Sequence, residues 1–136
     1  MVVQNVFQAV GGSWFKCWVW ANNLAYLYNA QGRYADAEPL YQRALAIRER
    51  VLGPDHPDTA RNLSNLAGIY NAQGRYADAE PLYQRALAIC EQRFGPNHPH
   101  VAVILAHYAS LLRNMHRDTE SADLESRAAA IRTEHV

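Results

Sequence analysis

Between Leu63 and Tyr70 the apolar residues Leu63, Leu66, Ala67 and Tyr70 fall three or four positions apart, the spacing that lines one face of a helix. Pro57 ahead of this run suits a first helical turn, where its missing N–H costs no bond. Gly74 closes the run, since the left-handed residue that ends many helices is easiest for glycine. A second apolar run starts at about Tyr76, with Ala79, Leu82, Tyr83, Ala86, Leu87 and Ile89 on its expected buried side. Asp78 and Glu80 in its first turn and Arg93 near its end complement the helix dipole. Pro81 lies so near the start that it removes at most one backbone bond, and Gly95-Pro96 stops the helix. The pattern predicts two helices joined by a tight turn.

That pair is one copy of a repeat. The twenty residues from Tyr28 to Ile47 return unchanged from Tyr70 to Ile89, 42 positions later. Asn23-Leu24-Ala25 is answered by Asn65-Leu66-Ala67, and Gly53-Pro54-Asp55-His56-Pro57 by Gly95-Pro96-Asn97-His98-Pro99. A period in this range signals a stacked repeat architecture. The offset divides the chain into a non-repeat segment over 1–15 and a repeat domain over 16–136, with repeats at about 16–57, 58–99 and 100–136. Alanines at 67, 79 and 86 allow close helix crossing, while Tyr70, Tyr76 and Tyr83 fill the wider gaps, as dense packing requires.

The outer repeats depart from the middle one. Trp14, Phe15, Trp18 and Trp20 crowd the front of the first, where the second carries polar and small residues. Three readings are open for this cluster: a cap over the end of the stack, a hydrophobic patch for self-association, or an unnatural tail left by a misplaced start codon. The third repeat keeps Val101, Ala102, Leu105, Ala109 and Leu112 on its first helix and Leu124, Ala128 and Ile131 on its second. His116 stands where Gly74 stood, Asp118 replaces Tyr76, and Glu125, Arg127, Arg132 and Glu134 make the last helix more polar. It is expected to be a solvated C-terminal cap.

Composition narrows the function. With 136 residues, 49% hydrophobic and 19% charged, the chain is one domain outside the disordered class. Thirteen basic and thirteen acidic residues balance, and Lys16 is the only lysine, so no basic stripe argues for nucleic acid. Cys17 and Cys90 are far apart without C-x-x-C spacing; they read as small buried thiols, and a reducing cytoplasm fits them. No apolar run of about 18 residues exists, so no membrane-spanning helix is expected, and the N-terminus lacks the basic region of a signal peptide. His56 and His98 sit in equivalent linkers, and zinc at His98 and His100 would lack further ligands. Ser13, Ser64, Ser110, Ser121 and Ser126 are expected as caps or on helix surfaces, with no G-x-S-x-G and no phosphate loop. An enzyme, a metal site and a cofactor are all unexpected. The charged residues Asp36, Glu38, Arg43 and Arg48 are expected on a solvated outer face, where each pair contributes about 0–1 kcal/mol.

Leu66-Ala67, Tyr70, the Gly74 turn, Ala79, Tyr83 and Ala86 together resemble the tetratricopeptide repeat. The 42-residue period and the LGPDHP linker resemble its kinesin light chain subclass, over about residues 21–132. The resemblance implies an all-α, right-handed superhelix of about three antiparallel helix pairs, whose first helices line a concave groove. It also implies a scaffold that binds a peptide or partner protein segment in that groove. The family's groove positions fall on Asn22, Tyr26 and Asn29, then Arg61, Ser64, Gly68 and Asn71, then Ala106, Ser110 and Arg113. Asn23 and Asn65 lie beside them. An amide both donates and accepts, so these asparagines suit the alternating groups of an extended backbone. Arg61 and Arg113 suit acidic side chains or a terminal carboxylate. For Asn65 and Asn71 the plainer alternative is a bond between neighbouring helices. The competing function is a self-assembling module, associating through Trp14, Phe15, Trp18 and Trp20 as a homo-oligomer; a piece of a longer repeat protein also fits.

Overall fold

A computed structural model describes residues 23–134. Within them the chain forms α1 over residues 23–30, α2 (Tyr34–Leu52), α3 (Pro57–Ala72), α4 (Tyr76–Phe94), α5 (Pro99–Asn114) and α6 (Asp118–Glu134). No strand occurs among these residues. From α2 onward each helix packs on the next in sequence, and α3 also touches α5. The first helices, α1, α3 and α5, and the second helices, α2, α4 and α6, therefore alternate along an all-α stack.

Local chemistry sets the ends of these helices. At each first-to-second turn the residue two past the helix adopts a left-handed backbone: Gly32 at φ 75°, Gly74 at φ 78° and His116 at φ 60°. The N–H of the next residue then reaches back to a carbonyl five positions earlier, Arg33 to Tyr28, Arg75 to Tyr70 and Arg117 to Leu112, at 2.8–2.9 Å. This is the bond that satisfies otherwise orphaned helix-end carbonyls. The third turn thus keeps the shape of the others after losing its glycine. At the linkers, His56 and His98 cap α3 and α5: Nδ1 accepts the N–H of Asp58 and of His100, each at 3.1 Å. Pro57 and Pro99 occupy the first helical position behind them.

The core follows the expected interlock of small and large. Ala37, Ala44, Ala67, Ala79, Ala86 and Ala109 have no exposure, and Tyr41 and Tyr83 are buried between them. The third repeat exchanges two core residues by one helical turn. Leu66 and Tyr70 on α3 become Tyr108 and Leu112 on α5. Even so, Tyr70 and Tyr108 bring their hydroxyls to equivalent partners, the amides of Gln42 and Gln84, each at 3.1 Å.

Two expectations fail at the boundary between the first repeats. Arg48 is fully buried, where a solvated outer position was expected. α2 ends against the first turn of α3, so the guanidinium donates to the Asp58 carbonyl at 2.8 Å and sits 3.6 Å from its carboxylate. Burial lowers its pKa to about 10, which leaves it charged at neutral pH. Glu38 is likewise no outer-face residue, because it crosses to Arg75 of the next repeat at 2.9 Å. A third expectation fails in α6, where Ser121 is buried with its hydroxyl donating to the Ala109 carbonyl at 2.7 Å. It takes the place of Ala79 and finds an acceptor there, so a small polar group is tolerated inside the helix pair.

Candidate functional site

α3 buries Leu63, Leu66, Ala67, Ile69 and Tyr70 against its neighbours and leaves Arg61, Ser64, Asn65, Gly68 and Asn71 on the opposite side. α5 repeats the division 42 positions on, leaving Val103, Ala106, His107, Ser110 and Arg113 open. α1 contributes Asn23, Tyr26 and Asn29 to the same helical side. The three first helices therefore present rows of equivalent residues: Asn23, Asn65 and His107; Tyr26, Gly68 and Ser110; Asn29, Asn71 and Arg113. Tyr26 and Val103 are 68% and 54% exposed, unusually open for large apolar residues. Gly68 carries no side chain on this side of α3. A Cβ there would meet the Tyr83 hydroxyl at an ordinary 3.7 Å, so the missing side chain is not a packing requirement.

The face lacks acidic groups of its own. Among the described residues of α1, α3 and α5, Asp58 is the one carboxylate, and it lies beside the buried Arg48. Arg61 is exposed and has no ion pair among the described residues. Arg113 is exposed but already held by Glu125 of α6, the residue that replaces Tyr83 in the third repeat. Asn71 accepts a hydrogen bond from the Asn114 amide at 2.9 Å, so for Asn71 a bond between neighbouring first helices is present. Ser64, Asn65 and Asn29 are half-buried at the rim of the face. Asn22, Trp14, Phe15, Trp18 and Trp20 lie outside the described residues.

Val103 and His107 share the face without having been anticipated. The signal was the same offset of 42, which sets Val103 at the position of Arg61 and His107 at that of Asn65. Among the described residues, no three His, Cys, Asp or Glu side chains converge as metal ligands. None of the described helices is long and apolar enough to cross a membrane. Cys90 is a buried thiol whose pKa burial pushes up, which suppresses the reactive thiolate.

Comparison with known families gives a tetratricopeptide repeat model that matches residues 19–92 and again 58–134. The chain belongs to the tetratricopeptide repeat family. Among solved structures, BtubC (BKLC) from P. vanneervenii matches with a TM-score of 0.83 and 23% identity, over 93% of this chain and 52% of that one. The nearly identical TPR-like repeats of a kinesin light chain from Podosopora anserina match with a TM-score of 0.78 and 23% identity, over 85% of this chain and 55% of that one. This chain therefore spans about half the length of those structures. At such identity the likeness establishes the fold alone, a stack of helical repeats. No curated protein matches. Tetratricopeptide repeats generally mediate protein–protein interaction.

Proposed function

We propose that this chain is a scaffold that binds an extended, acidic segment of a partner protein along the face formed by α1, α3 and α5. The observation that carries the reading is the charge of that face: Arg61 stands open on helices whose one carboxylate lies beside the buried Arg48. The amides of Asn23, Asn29 and Asn65 supply donors and acceptors for a peptide backbone without reading its sequence. Arg61 supplies the charge-assisted contact to a carboxylate, and Tyr26 and Val103 supply apolar area. Rigid helices hold all of these groups before the ligand arrives, which lowers the entropic cost of binding. Asn71 plays a smaller part, since its carbonyl already serves Asn114.

The test is a panel of labelled extended peptides, acidic and neutral, read by fluorescence anisotropy. Arg61→Ala with Asn65→Ala is expected to weaken the acidic peptides about tenfold or more, on the order of 1–2 kcal/mol. Helicity and melting should stay at wild-type values, because neither side chain has a hydrogen bond among the described residues. Arg93→Ala, at an exposed position in the last turn of α4, is the control. A loss no larger than the control's would remove the face as the binding site.

A further inference from the structure

Each boundary between described repeats is closed by the same three polar contacts. The turn arginine of the later repeat reaches the second helix of the earlier one: Arg75 to Glu38 at 2.9 Å and Arg117 to Glu80 at 2.7 Å. One turn along that helix, a glutamine amide donates to a tyrosine hydroxyl, Gln42 to Tyr70 and Gln84 to Tyr108. Toward its end a glutamate accepts from the next second helix: Glu49 from Arg85 at 2.9 Å and Glu91 from Arg127 at 3.5 Å. A boundary of this type asks the earlier repeat for Glu, Gln and Glu at the spacing of Glu38, Gln42 and Glu49.

The two ends of the stack differ in what they offer. α6 carries Ala122, Ser126 and Thr133 at those three places, which therefore lack the two carboxylates and the amide. At the other end two of the receiving groups, Arg33 and Tyr28, are in place. Arg33 donates through Nε to Asp36 at 2.9 Å and lies 4.5 Å from the centre of the Tyr28 ring. Arg75 holds the same pose, at 3.1 Å from Asp78 and 4.2 Å from the Tyr70 ring, and adds Glu38. Among the described residues Arg33 has no such glutamate. Leu27 nearby is 51% exposed, whereas its equivalents Ile69 and Leu111 are 0% exposed beneath a preceding second helix.

We propose that the N-terminal end of the stack is a docking face for the second helix of another tetratricopeptide repeat, one carrying Glu, Gln and Glu in the spacing of Glu38, Gln42 and Glu49. Charge complementarity selects this occupant. Its first glutamate meets Arg33, already oriented by Asp36 and Tyr28; its glutamine meets the Tyr28 hydroxyl; and its apolar side covers Leu27. The C-terminal end of this same chain is not the occupant, because α6 lacks all three residues. The face lies at the end of the stack and works independently of peptide binding along α1, α3 and α5.

The test gives α6 what it lacks. The full chain with Ala122→Glu, Ser126→Gln and Thr133→Glu is compared with wild type by light scattering over a concentration series, with helicity followed by circular dichroism. All three positions are exposed, so the fold should persist. The variant is expected to add whole copies head to tail, its mass rising roughly two-fold or more above the wild-type curve. Arg33→Glu added to it should return the mass to that curve. A folded variant that follows the wild-type curve overturns the proposal, as does association that survives Arg33→Glu. If the triple variant loses helicity, Ala122→Glu alone is read in the same way.

Discussion

His116 holds φ at 60°, a region where a side chain crowds the following carbonyl. Histidine tolerates it better than a branched residue, but glycine adopts it without that cost. The turn itself is the same as at Gly32 and Gly74, so the strain is imposed by the packing of α5 on α6. His116→Gly is therefore expected to stabilise the protein by about 1 kcal/mol, less the entropy glycine gains when unfolded. Urea denaturation checks it through a higher midpoint at unchanged slope. A lower midpoint would mean that the imidazole makes a contact worth more than the strain. The sequence located this turn and its missing glycine, but it had no means of telling whether the turn would keep its shape.

At the scale of the element, the two boundaries between repeats are built alike and filled differently. α2 meets α3 through Arg48, Asp58, Thr59 and Asn62, while the equivalent places between α4 and α5 hold Cys90, His100, Val101 and Ile104. Thr59 satisfies its hydroxyl on the Gly53 carbonyl at 2.9 Å, and Arg48 donates to Asp58. The buried Asn62 amide finds no hydrogen-bond partner among the described residues. An unsatisfied buried amide costs roughly 1–3 kcal/mol, so Asn62→Ile, the residue of the third repeat, should raise the melting temperature. Arg48→Ala should lower it by more than a surface arginine would, since it removes the donor to Asp58 and opens a cavity. Opposite shifts in thermal melts would bear out this reading; a drop for Asn62→Ile would show that its amide is satisfied. The mismatch between the boundaries also keeps near-identical repeats in order. Stacking α2 on α5 would bury a guanidinium against Val101 and Ile104.

For the molecule as a whole, stability is a sum over neighbouring helix pairs, as in other repeat stacks, and buried tyrosines tie those pairs together. Burial pushes the Tyr83 hydroxyl up to about 12 and raises Tyr41 as well. Tyr108 is also pushed to about 12, by burial and by its bond to Glu80 at 2.7 Å. A tyrosine ionises near pH 10 in an unfolded chain. Between about pH 10 and 12 the unfolded state therefore loses protons that the folded state keeps, and stability falls as pH rises. Denaturant midpoints measured from pH 8 to 12 should decline across that window. The decline should be shallower in Tyr83→Phe, which has no hydroxyl to ionise. Equal slopes for the two proteins would show that Tyr83 titrates normally in the fold.

The sequence by itself determined the repeat, its helix pairs, its turns at Gly32 and Gly74 and most of its core, because these rest on local spacing and backbone preference. For the open side of α3, Arg61, Ser64, Gly68 and Asn71 came from the resemblance to the tetratricopeptide repeat and not from local spacing alone. Only the tertiary structure decided where charged side chains go. Arg48 and Arg43 both read as outer-face residues by local pattern, yet Arg48 is buried because α3 begins over it. Glu38, Arg75 and Glu80 take their meaning from partners in the neighbouring repeat, and Arg113 is engaged because Glu125 stands where the second repeat has Tyr83. Local periodicity fixes which way a side chain points along its own helix, and the partner it meets depends on the helix placed opposite.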